Sequence, residues 1–232
     1  MILYDGIDMN SVADVKIEDI RVSSIQYSPV TANRPIEAGA FFVRNRCGTR
    51  TVSVTFALLK MDRSARQSAL MAVSAWAKTD KEYKLELPGH PDHYLMAVCT
   101  AKPDPSTRQW WEAKLRIVFT CFDNPFWTDK IEKSVACGTQ FTVFGDAPPL
   151  MRIVKHRDSA ASDQTYTLGG KNMKFSTIPL GDMVIDLNRE TARVGTASFM
   201  NYYNLTSRWA TPFVGTQTVT GDGIVKYRER WQ

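Results

Sequence analysis

The run Arg50-Thr-Val-Ser-Val-Thr-Phe-Ala-Leu-Leu59 constrains the fold more than any other stretch. Val52, Val54, Phe56 and Leu58 alternate with Thr51, Ser53, Thr55 and Ala57. Successive side chains of an extended chain point to opposite faces, so a period of two yields one apolar and one polar face, the mark of a half-buried strand. The run from Trp110 to Phe122 repeats the habit, with Leu115, Ile117, Phe119 and Cys121 on one face and Glu112, Lys114, Arg116 and Thr120 on the other. One face of each strand then meets a core and the other meets solvent or a partner.

Shorter strand candidates at 17–20, 40–43, 83–87 and 94–99 are separated by Asn33-Arg-Pro35, Cys47-Gly48, Pro88-Gly89 and Lys102-Pro-Asp-Pro105. One segment departs from this texture. Ser64-Ala-Arg-Gln67 fits a capping box, and Leu70, Val73, Trp76 and Ala77 fall on one stripe, which predicts an amphipathic helix over about 64–79 packed across the sheet. After Phe122-Asp-Asn-Pro-Phe-Trp127 the residues turn polar and apolar alternation resumes only near Val135, so the spacing predicts domains at 1–130 and 131–232. In the second, strands are expected at 135–144, 150–154, 164–168, 171–178, 183–187, 192–199, 209–214 and 224–227. Gly145-Asp-Ala-Pro-Pro149, Gly169-Gly170 and Thr220-Gly-Asp-Gly223 supply turns. Many short strands at close spacing predict a β-sandwich. The fold class is therefore mainly β, with one short helix in the N-terminal domain.

A length of 232 residues suits two modest domains, and 44% hydrophobic residues with a mixed-sign charged fraction of 23% exclude a disordered chain. The net charge is +5, yet Lys and Arg stand scattered among acids, so no basic stripe marks a nucleic-acid binder. No apolar segment approaches the roughly 18–20 residues that cross a bilayer, and no membrane insertion is expected. The start Met1-Ile-Leu-Tyr-Asp-Gly-Ile-Asp lacks the pattern of a secretory signal, so folding in a reducing cytoplasm is expected. Cys47, Cys99, Cys121 and Cys137 stand far apart with no C-x-x-C pair, and read as small buried apolar residues.

Residues able to carry chemistry also have plainer readings. His90-Pro-Asp-His93 offers metal ligands, but Pro91 forbids the helix that would aim both histidines together, so a surface turn is expected and no metal. With His156 these are the 3 histidines of the chain, and no G-x-S-x-G elbow accompanies them. Asp123 with Asp129, or Asp182 with Asp186, could serve a glycosidase, although acids in such places usually cap strand ends. Gly169-Gly-Lys171 lacks the remainder of a phosphate loop and reads as a hairpin turn. Trp110-Trp111, and the set Tyr202, Tyr203 and Trp209, could stack on sugar rings or fill a core or interface. Pro125, Phe126 and Trp127 are assigned to packing between the two domains. No catalytic residue and no cofactor is expected.

The order of these pieces carries a resemblance. The alternating strand 50–59, one helix to Trp76, Tyr83-Lys-Leu-Glu-Leu-Pro88, His93-Tyr94 and a long strand ending in Cys121-Phe-Asp-Asn-Pro-Phe-Trp127 resemble the distal tail protein family of long-tailed phages. Gly145-Asp-Ala-Pro-Pro-Leu-Met-Arg-Ile153, Met183-Val-Ile-Asp-Leu-Asn188 and Ala192-Arg-Val194 are similar to its second half. The resemblance implies an N-terminal β-barrel or sandwich that forms a hexameric ring, and a C-terminal galectin-like β-sandwich facing outward. It implies tail tube protein above, tail hub or tail-associated protein below, and receptor-binding or side-fibre proteins at the periphery. DNA would pass through the channel without sequence-specific contact. The place implied is the tail tip of the virion, after synthesis and assembly in the host cytoplasm. A lectin-like carbohydrate-binding module and a cell-wall glycan hydrolase are the alternatives.

Overall fold

The structure is a computed structural model that describes residues 1–33, 40–59, 62–103 and 114–232. The expected turns Asn33-Arg-Pro35 and Lys102-Pro-Asp-Pro105 lie partly outside these residues, and Trp110, Trp111 and Glu112 wholly so. The architecture is mainly β. Contacts divide it into a unit of Met1–Trp127 with Gln232 and a unit of Thr128–Trp231.

In the first unit Arg50–Leu58 is a strand whose alternate residues Arg50, Val52, Val54, Phe56 and Leu58 are buried. Each large apolar side chain so buried contributes roughly 1.5–3 kcal/mol, which holds this strand at the sheet's interior. It pairs antiparallel with Val15–Val22 on one side and Leu115–Cys121 on the other. The sheet continues through His93–Ala101 and Tyr83–Glu86 to the short Leu3–Tyr4 and Ile7–Asp8 strands. Tyr27–Asn33 and Ala40–Cys47 form a hairpin of their own, outside this sheet.

The helix is Arg63–Trp76 and buries Leu70, Val73 and Trp76. Its N-cap is Asp62, whose carboxylate accepts from the Ala65 N–H at 3.0 Å, so the expected capping box at Ser64 is replaced by an acid two residues earlier. It stops at Trp76, short of the expected 79: the Lys78 N–H donates to Trp76 O at 2.9 Å instead of continuing the helix onto Ser74 O, which accepts from Lys102 Nζ at 2.8 Å. Tyr4 sits at the centre of the aromatic packing, 5.6 Å from Trp76 and 4.9 Å from Phe119 between ring centroids.

The second unit has a sheet in the order Lys133–Ala136, Ile224–Trp231, Ala147–Arg157, Gly181–Asp186, Thr191–Val194, Ala197–Ser198. The hairpin Ala161–Leu168 and Lys171–Ile178 and the pair Gln140–Val143 and Gly215–Thr218 stand apart from it in pairing. Both groups feed one core, with Ile153, Met183, Ile185 and Val225 from the sheet and Tyr166, Met173, Phe175 and Phe141 from the other strands. Gly169 and Gly170 both have positive φ, +58° and +74°, as a two-residue hairpin turn requires.

Several expected elements differ. The single strand at 135–144 is two strands, because the chain turns at Gly138 with φ +87°. The 145–149 turn is mostly strand: Ala147–Arg157 begins inside it, and a bulge between Ala147 and Leu150 takes up Pro148 and Pro149, which have no N–H for a ladder. Residues 192–199 divide at Gly195. No strand forms at 209–214; Ala210 is buried and Pro212 interrupts, and pairing resumes at Gly215–Thr218. Of the cysteines, Cys99 and Cys121 are buried, but Cys47 is exposed and Cys137 only half-buried. Burial pushes the Cys121 thiol up to about 12 and that of Cys137 up to about 11.

Candidate functional site

Arg50 opens the central strand on the parity of Val52 and is therefore turned inward, with 4% exposure for an arginine. Its guanidinium carbon lies 5.9 Å from the Trp127 ring centroid. The far side of the hollow is His90, stacked on Trp127 at 4.0 Å with planes 29° apart. Together with Ser23, Ile25 and Tyr27 these residues line a hollow of about 440 Å³ in the first unit. Burial first, then the neighbouring His93 and Arg50 charges, hold the His90 imidazole below its ordinary value. The site is concave, aromatic and cationic, and suits contact with a partner's polar or anionic group.

It does not have the parts of a nucleophilic site. Ser23 Oγ accepts from the Thr51 N–H at 2.9 Å, and among the described residues no hydrogen bond joins Ser23 or Ser24 to His90. His90 and His93 are 6.4 Å apart between rings and shape a turn, with the His93 N–H donating to His90 O at 3.2 Å. Among the described residues no group of three or more His, Cys, Asp or Glu is placed to hold a metal ion.

Asp182 and Asp186 are not assembled as an acid pair either. Asp182 and Asp186 lie on one strand, four residues apart, hence roughly 13 Å along an extended chain. That exceeds the roughly 5–9.5 Å between the two carboxyls of a glycosidase. Asp182 is bound to His156 Nδ1 at 2.6 Å, and Asp186 accepts from the Asn188 and Arg189 N–H groups at 3.0 Å, a turn-capping task. In the second unit Asp129 accepts from Trp231 Nε1 at 2.9 Å. In the first, the exposed Asp123 lies where Glu82 Oε1 accepts from the Phe122 and Asp123 N–H groups.

Of the aromatic set weighed for sugar stacking or packing, Tyr203 and Trp209 pack. Tyr203 and Trp209 are 5.3 Å apart, both lie against Phe175, and the Trp209 indole donates to Leu187 O at 3.1 Å. Tyr202 keeps 37% exposure. Of the 125–127 cluster, Pro125 and Trp127 are buried and Phe126 half-buried, and Trp127 packs on His90 within its own unit. Sequence reasoning passed over Arg50, although the alternation that singled out Val52 to Leu58 already put Arg50 on the same face. Tyr4 had no comparable signal, since its strand is two residues long.

No family model matches the sequence and no curated protein matches it. Among solved structures the chain is similar to the Dit protein of phage SPP1, described as a paradigm of the hub adsorption apparatus in Gram-positive infecting phages. That similarity covers 100% of this chain and 98% of that one, with a TM-score of 0.74 at 14% identity. A chain of the phage P2 baseplate in its activated conformation, with Ca and again with Sr, is similar over 96% of this chain and 92% of that one, with a TM-score of 0.52 at 7% identity. The chain has the fold shared by these phage hub and baseplate proteins.

Proposed function

We propose that this chain is a structural protein of a phage-type tail tip, a distal tail protein without enzymatic activity. The observation that carries the proposal is the similarity to the SPP1 Dit protein over 100% of the chain, both units included. A fold alone hosts many functions, so the reading also leans on what the surfaces offer. The first unit's sheet ends on Val15–Val22, which among the described residues pairs on one side only, with Arg50–Leu58. The bulge between Ile17 and Asp19 and the charges of Lys16, Glu18, Asp19 and Arg21 blunt that edge against indiscriminate pairing. Such an edge favours a closed, specific assembly over open-ended association.

In this account the first units, about 1–130, form a hexameric ring between tail tube protein and tail hub or tail-associated protein. The second, galectin-like units face outward and hold receptor-binding or side-fibre proteins. The mechanism is geometric: each protomer presents different surfaces to its lateral, axial and peripheral partners. The protein acts in the virion after assembly in the host cytoplasm. DNA traverses the ring without base-specific contacts, which suits the scattered charge.

Gold-labelled antibody against the chain, applied to intact tailed particles that carry it, is expected to mark the lower end of the tube. Label distributed along the tube, or found only on cell-wall fragments, contradicts the proposal.

A further inference from the structure

Lys171, Lys174 and Arg208 line one hollow of about 360 Å³ on the second unit, with Asn172, Thr206 and Ser207 completing its wall. The backbone brings them together. The Asn204 N–H donates to Lys174 O at 2.9 Å and the Arg208 N–H to Asn172 O at 3.0 Å, which lays residues 204–208 along the edge of the Lys171–Ile178 strand. No carboxylate lines the hollow, and residues 164–181 and 191–221, within which its lining residues fall, contain no Asp or Glu.

Elsewhere in this unit Lys133, Arg152, Lys155 and Arg157 are each paired with an acid. Among the described residues none of the three cations of the hollow has such a partner; Lys171 Nζ donates only to Thr211 Oγ1, at 3.3 Å. Three like charges around one concavity repel each other, and an anion placed among them relieves that repulsion. The Asn172 side-chain oxygen accepts from Thr167 Oγ1 at 2.8 Å, which leaves its amide Nδ2 to donate.

We propose that this hollow binds a phosphate group carried on a small polyol or sugar. Lysine ammonium and arginine guanidinium are the side chains that pair with phosphate oxygens; for neighbouring hydroxyls Asn172 Nδ2 can donate and Thr206 Oγ1, whose own proton goes to Asn204 Oδ1 at 2.7 Å, can accept. A nucleic acid fits less well: it calls for a track of cations and aromatic rings for its bases, whereas this hollow is confined and no aromatic side chain lines it. The proposal rests on the second unit alone and is independent of the tail reading.

The test titrates the full chain at low ionic strength, by calorimetry and amide NMR, with glycerol 3-phosphate, inorganic phosphate, glycerol and a short oligothymidylate. Glycerol 3-phosphate is expected to saturate with a Kd on the order of 1 mM, inorganic phosphate to bind more weakly, and glycerol not to bind. Lys174→Glu and Arg208→Glu are each expected to weaken glycerol 3-phosphate binding at least about tenfold with Tm unchanged, since both residues are exposed. If either variant loses cooperative unfolding, Lys174→Gln carries the same comparison. Equal affinity in wild type and variants, absence of saturation, phosphate binding as tightly as glycerol 3-phosphate, or oligothymidylate binding tenfold more tightly would each overturn the proposal.

Discussion

Tyr4 shows how much one residue can organise. Its ring is 1% exposed among Trp76, Tyr83 and Phe119, and its one hydroxyl proton is shared between Lys78 O at 3.0 Å and Ala97 O at 3.2 Å. Tyr4→Phe keeps the ring but strips both carbonyls of a donor, so urea unfolding is expected to show a loss of about 1–3 kcal/mol. Gly221 is constrained differently. Its φ is +125°, and a Cβ there would stand 2.4 Å from Tyr166 Cδ1, so Gly221→Ala is expected to cost at least about 2 kcal/mol in the same measurement. His156 carries the pH dependence. The hydrogen bond that its Nδ1–H donates to Asp182, then the charges of Asp182 and Asp158, raise its folded value above the ordinary 6.5. Its contribution is therefore full below about pH 6.5 and disappears as pH rises through the raised folded value. A comparison of wild type with His156→Gln is expected to show a gap in urea midpoint near about pH 5.5 that closes by about pH 8. The Thr220–Gly223 turn was legible beforehand, but the roles of Tyr4 and His156 were not: a two-residue strand has no period, and the hydrogen bonds of both residues join strands far apart in sequence.

At the scale of elements, periodicity was a good guide wherever one face met a core. The burial of Val52, Val54, Phe56 and Leu58 follows the alternation, as does that of Leu115, Ile117, Phe119 and Cys121, whereas Thr120, expected on the polar face, is buried and within 2.9 Å of Thr100 Oγ1. It failed where apolar residues enter the core without a partner strand, as at Trp209 and Ala210, whose segment is anchored by the indole hydrogen bond to Leu187 O. It also failed at Ala147–Pro149, where proline suggested a turn but a bulge let the strand run through. Gly145 belongs to the same lesson: a Cβ there would meet Arg230 O at 2.4 Å, so the glycine permits close backbone approach. The helix start is a third case. Asp62 accepts from the Ala65 N–H, and Asp62→Ala is expected to lower stability by about 1 kcal/mol, read from the urea midpoint; Ser64→Ala is expected to change it by less than half of that.

At the scale of the whole chain, the order of elements said more than any single site. Several of the acids and histidines weighed for chemistry have a structural occupation, such as the turn capped by Asp186 or the ring stacked on Trp127. The resemblance carried by strand order and by the 122–127 cluster agrees with a fold match that extends over both units. What sequence could not reach is how separated stretches meet: Arg50 beside His90 and Trp127, or Arg208 beside Lys171 and Lys174, depends on strand pairing between distant segments. The central claim is ring assembly at a tail tip, and native mass tests it most directly. Light scattering across a concentration series, with negative-stain images of the same sample and with tube and hub proteins added, is predicted to give six copies of the chain in a closed ring. A monomer at every concentration, with no ring on adding either protein, would contradict it.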